Sequence, residues 1–117
     1  MEGIDFTPQD LMDGIMQLTD DLSSKNDRLA LALVDKIRAQ TTYDNAMQTA
    51  ISSLRESKYP QSFILAKAKT MVTPEREPLD IARTNIECLR NDISLIKTTI
   101  DCYRSLLSWL KAELLNS

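Results

Sequence analysis

From Leu79 to Leu114, apolar side chains recur with the seven-residue period of a helix built to pack along its whole length. With Leu79 at position a, the a positions are Leu79, Ile86, Ile93, Ile100, Leu107 and Leu114, and the d positions are Ala82, Leu89, Ile96, Tyr103 and Leu110. All eleven are apolar or aromatic over five heptads, more than the three or four heptads that define a coiled-coil seam. The c positions, Ile81, Cys88, Leu95, Cys102 and Trp109, form a second apolar row. The apolar arc from c through d to a then spans about 160°, wider than the strip a two-stranded coiled coil buries. The pattern predicts a helix that touches at least two neighbours, with Trp109 joining the seam residues in a self-association core.

The remaining elements follow from caps and breaks. Thr73-Pro74-Glu75 opens the long helix, predicted over 74–115, with Thr73 as cap, Pro74 first and Glu75 at the positive dipole end; Pro78 delays regular helix. Thr7-Pro8-Gln9-Asp10 is a matching start. Leu11, Ile15, Leu18 and Leu22 follow it at helical spacing with Met12 and Met16 beside them, predicting an acidic amphipathic helix over 8–22. Ser23–Asp27 weakens the pattern and predicts a kink or short break. A long helix over 26–58 follows, with Leu33, Ile37, Met47, Ile51 and Leu54 on its apolar face. Gln40 and Asp44 fall in that seam, where a buried Asp44 would set the register. Tyr59-Pro60 ends this helix, and a short helix over 61–70 (Phe63, Ile64, Leu65, Ala68) fills the connection. Met1–Phe6 reads as disordered or extended. The expected fold is all-α: a long antiparallel helical hairpin or coiled coil with an extra N-terminal helix, in an oligomeric bundle.

Composition agrees. The chain has 117 residues, 2 Gly and 4 Pro, enough for a single helical domain over 1–117 and poor in turn formers. Charge adds a polarity. Residues 1–22 carry six acids and no base, while every e position is basic: Arg83, Arg90, Lys97, Arg104 and Lys111. That row has three readings. It is a solvated stripe paired within its own helix (Glu87 to Arg90, Asp101 to Arg104), a surface for an acidic partner such as helix 8–22 exchanged between subunits, or a nucleic-acid contact. The net charge of −3 weighs against the last. Leu11, Ile15 and Met16 with their acidic flanks either dock in a partner's groove or close the protein's own bundle.

Chemistry is sparse. There is no His, which removes the usual general base and imidazole metal ligand. Cys88 and Cys102 lie about 21 Å apart on one helix, too far for a disulfide, lack metal-ligand spacing, and read as buried thiols. Gly3 and Gly14 cannot cradle a phosphate. No catalytic residue, cofactor or metal is expected. No signal peptide or membrane span is read, so the expected location is the cytoplasm.

Ala66-Lys67-Ala68-Lys69, then Val72-Thr73-Pro74-Glu75-Arg76-Glu77, then a long amphipathic helix resembles small helical proteins of bacteriophage and prophage early gene clusters. The likeness covers residues 29–117. It implies a helical hairpin that assembles into an oligomer, beside replication or recombination proteins, and carries over no site residues. The functional expectation is a non-enzymatic interaction protein that self-associates and binds a protein partner, as a phage accessory or a host-modulating factor. The alternative is a nucleic-acid-binding accessory using the basic e row.

Overall fold

The computed structural model describes residues 7–116; the expectation for Met1–Phe6 lies outside them. Thr7 and Asp10 cap each other at the first helix start. The Asp10 N–H donates to Thr7 Oγ1 at 3.1 Å, and the Thr7 N–H donates to Asp10 Oδ2 at 3.0 Å, a capping box with aspartate in the acid position. Helix α1 then runs from Pro8 to Glu56 without interruption. The expected break at Ser23–Asp27 does not occur. No Pro or Gly stands there, each residue is only some tenths of a kcal/mol poorer than Ala in a helix, and one packed face carries the helix across.

That face is Leu11, Ile15, Leu18, Leu22, Lys25, Leu29, Ala32, Lys36, Ala39, Tyr43, Ala46 and Ala50, every one buried or half-buried. The steps alternate between four and three throughout. The expected apolar face of 26–58 is therefore only partly right. Leu54 is buried and Leu33, Met47 and Ile51 half-buried, but Ile37 is 65% exposed. Asp44 is no buried register-setter: it is exposed and accepts a hydrogen bond from Gln40 Nε2 at 2.9 Å.

The end of α1 is closed by its backbone. The Tyr59 N–H donates to the Leu54 carbonyl at 3.0 Å, the Lys58 N–H donates to the Arg55 carbonyl at 3.1 Å, and Lys58 takes φ 56°. This is the glycine position of a Schellman motif occupied by lysine. A left-handed non-glycine residue costs about 1–2 kcal/mol, part of which glycine returns through its freer unfolded chain. Lys58→Gly is expected to stabilise by about 0.5–1 kcal/mol, read as a rise of a few degrees in the thermal midpoint.

A 3-10 turn over Gln61–Phe63 leads into α2 (Ile64–Met71), and α3 runs from Thr73 to Asn116. Val72 joins them, its carbonyl accepting the N–H groups of Glu75 and Arg76. Thr73 is not the cap expected of it. It is the first helical residue, and its hydroxyl donates to the Thr70 carbonyl at 2.9 Å. Pro78 lies inside α3; it gives up one backbone hydrogen bond near the helix start, where few turns depend on it.

The described chain is thus an all-α helical hairpin, and its contacts divide into two compact units. One joins the chain up to Arg28 with the chain from Leu89 onward; the other is Leu29–Cys88. In the second unit, Ala50, Leu54, Ile64, Ala68 and Val72 form a core on which Tyr43, Ala46, Met47 and Ile51 pack. In the first unit, Gly14 lies under Tyr103 and Lys25 Nζ meets Asp92 Oδ2 at 3.2 Å, which fixes an antiparallel pairing. Helix 8–22 is therefore the first turns of α1, packed on the chain's own α3.

A Cβ on Gly14 would stand 2.6 Å from Tyr103 Cε2, well inside van der Waals contact. An alanine in a helix ordinarily gains about 1 kcal/mol over glycine. Here Gly14→Ala is expected to lose about 1 kcal/mol, because the half-buried ring must move, and to become stabilising once Tyr103→Ala removes the ring. The coupling in a urea-denaturation double-mutant cycle should be about 2 kcal/mol.

Candidate interaction surface

The heptad register of α3 holds. Leu79, Ile86, Leu89, Ile93 and Ile100 are buried, and Ala82, Ile96, Tyr103, Leu107 and Leu110 are half-buried. Leu114 departs from the seam and is exposed. The pairing of Gly14 with Tyr103 sets Pro8 opposite about residue 109, so α1 begins too late to cover it.

The c row is where expectation and structure part. Ile81, Leu95 and Trp109 are exposed by 63%, 67% and 57%, and Cys88 and Cys102 are exposed free thiols rather than buried ones. Neither residues 8–22 nor any other described segment covers the row, and Trp109 belongs to no seam. The reason is geometric. Position c lies about 130° around the helix from the centre of the a/d seam, and α1 occupies that seam alone. Among the described residues no second helix lies on the c side of the apolar arc.

The basic e row is exposed throughout. Arg83 alone has partners, donating from Nη2 to Gln40 Oε1 at 3.0 Å and lying 4.0 Å from Asp80. Arg90, Lys97, Arg104 and Lys111 have no acid within 4 Å among the described residues. The expected pairs Glu87–Arg90 and Asp101–Arg104 do not form, nor does any ion pair between this row and the acidic turns of α1. Of those acids, Asp13 and Asp20 stand at f positions of the α1 frame and face away from α3, Asp10 accepts the Thr7 N–H, and Asp21 accepts from Gln17 Nε2 at 3.3 Å. The inter-helix ion pair that does form, Lys25 with Asp92, lies on the opposite flank.

Of the α1 residues considered for a partner, Leu11 is 1% exposed and Ile15 half-buried. Both are spent on the seam, and only Met16 remains exposed, with Met12 beside it. Sequence reasoning missed a further patch: Leu31, Val34 and Ile37 are exposed on the outer side of α1. Its signal was the run Leu29–Val34, apolar on every face of the helix, which one partner helix cannot cover.

The second unit also holds an open groove of about 1220 Å³, lined among others by Ala32, Asp35, Ala39, Pro78, Ile81 and Asp80. It forms because alanine seam positions leave space between the helices. Nearby, Glu75 Oε2 is buried without a hydrogen-bond partner among the described residues. No group of three or more His, Cys, Asp or Glu able to hold a metal occurs among the described residues, and no described helix is long and apolar enough to cross a membrane.

An apolar row thus lies uncovered, and four of the five e-row bases have no acid within 4 Å, among the described residues of α3. No protein-family model, curated protein or solved structure matches the chain.

Proposed function

We propose that this protein is a non-enzymatic helical interaction protein that self-associates and holds a protein partner through exposed helix faces. The observation that carries the reading is the bare c row. Leu95 and Trp109 each leave more than half of their surface in water, on a face patterned as regularly as the buried seam. A contiguous apolar patch of this sort marks an interaction site more often than an accident of composition. The resemblance of the Val72–Glu77 turn to phage early-region proteins suggests the setting, an accessory or host-modulating factor in the host cytoplasm.

Mass in solution tests the reading. Light scattering at high micromolar concentration is expected to give a multiple of 13.3 kDa; a strict monomer would remove self-association. A second reading rests on Arg90, Lys97, Arg104 and Lys111, which lack acidic partners and suit a phosphate backbone. Titration of a labelled oligonucleotide separates the two. Binding that falls steeply with salt supports nucleic acid, and no binding at low salt eliminates it.

A further inference from the structure

We infer that the occupant of the c row is a second copy of this chain, packed antiparallel on α3 about a two-fold axis at Cys102. This rests on the self-association reading and adds the surface and its geometry.

Charge chooses the segment. The c, f and g positions of α3 between Asp92 and Glu113 are Leu95, Thr98, Thr99, Cys102, Ser105, Leu106, Trp109 and Ala112. None is charged. This strip is about 27 Å long and has the c row along its middle. Asp92, at one end, is already neutralised by Lys25 at 3.2 Å. Elsewhere the protein is charged. The opposite flank of α3 carries the basic row, and the c row beside the groove of the second unit has Asp35, Glu77 and Asp80 around it. A contact between copies of one surface sets like charges together wherever one sign dominates that surface, so a neutral strip suits a copy of itself better than a charged partner does.

The polar groups in the strip tolerate burial. The Thr99 hydroxyl donates to the Leu95 carbonyl at 2.9 Å, so covering it leaves no unmatched donor. Leu95, Leu106 and Trp109 keep roughly 300 Å² per copy in water, and with the small residues between them two copies would bury about 1,000 Å² in total. That reaches the lower bound of a specific interface.

Shape chooses the direction. Antiparallel about Cys102, residues whose numbers sum to 204 lie at one level, and each flank meets its own kind, f against f and g against g. Leu95 meets Trp109, Thr98 meets Ser105 and Leu106 meets Thr99, so that on one flank a large side chain lies against a small one. Glu113 then comes against Asp92, whose carboxylate Lys25 already engages, and Asn91 meets Ala112. A parallel pairing would set Trp109 on Trp109 and Leu95 on Leu95.

Cysteine reporters in the full chain test this. With Cys88→Ser, a short bis-maleimide is expected to link Cys102 to Cys102 and give a covalent dimer. With both native cysteines changed to serine, Thr98→Cys mixed with Ser105→Cys should link, whereas Ala112→Cys alone, about 30 Å from its copy in the antiparallel pair, should not. Leu95→Asp, at an exposed position that folding tolerates, should keep the helical circular dichroism and weaken dimerisation at least about a hundredfold. A dimer of unchanged affinity with Leu95→Asp, or one without the Cys102 link, would overturn this interface while leaving self-association standing. Linking of Ala112→Cys to itself would overturn the antiparallel direction. A monomer at high micromolar concentration would overturn both the interface and the reading beneath it.

Discussion

Ile100→Asp is expected to remove about 4–5 kcal/mol of stability, enough to unfold a marginal chain of this size. Ile100 is 5% exposed at an a position of α3. By the pairing of Gly14 with Tyr103 it lies opposite Gln17 and Leu18, at the centre of the first unit's seam. Losing the isoleucine costs about 2–4 kcal/mol, and the carboxylate that replaces it must either give up its charge or drag water into the seam. No basic seam residue lies within a turn to compensate. Ile93→Asp supplies the contrast. Ile93 is also buried, but Lys25 is one turn away and engages Asp92. An aspartate there can share that ammonium, and its penalty should be smaller by about 1 kcal/mol. Thr98→Asp, at an exposed f position, should stay within about 0.5 kcal/mol in the monomer. Urea denaturation followed by circular dichroism gives all three values. If Thr98→Asp proved the most damaging, the heptad frame would be misplaced.

The second large effect is expected at Leu79, which with Leu11 is one of the two largest fully buried side chains, at 2% exposure. Leu79→Ala should cost about 2–4 kcal/mol. The helix start has little means of closing the cavity, since Pro78 holds the backbone stiff one residue earlier. Ile81→Ala, two residues along but on the exposed c row, should cost under about 0.5 kcal/mol in the monomer. Two truncations a few ångströms apart along one helix would thus differ severalfold. Equal losses at the two positions would mean that something covers Ile81 in solution.

The register of α3 was legible because its seam is written in large residues, Leu79, Ile86, Leu89, Ile93 and Ile100, at unbroken heptad spacing. That of α1 was half legible for a physical reason. From Leu11 to Leu29 its seam is mainly leucine and isoleucine; beyond that it continues in Ala32, Ala39, Ala46 and Ala50, while bulkier Leu31, Val34 and Ile37 point outward. A reading that follows size leaves the true frame at that point, which is why Ile37 and Asp44 were placed inside. Carrying the four-three steps through Lys25 and Lys36 would have kept the frame and dissolved the supposed break at Ser23–Asp27. Of the candidate surface, the c row was visible as a pattern and its exposure was not. Periodicity records which side chains avoid water, and it is silent on whether their cover comes from the same chain.

One consequence attaches to Gly14. Two helices with a strictly repeating seam can slide past each other by one heptad, about 10.5 Å, and offer their apolar residues nearly the same surroundings. Here the slide is indexed. Gly14 is the one glycine of α1, Tyr103 is the one aromatic on the α3 seam, and the ring lies in the notch that the missing side chain leaves. Moved by seven residues either way, Tyr103 would meet Asp21 or Thr7 instead. Gly14 and Tyr103 give this pairing an alignment mark at the first turns of α1, and the Lys25–Asp92 ion pair stands in the same register.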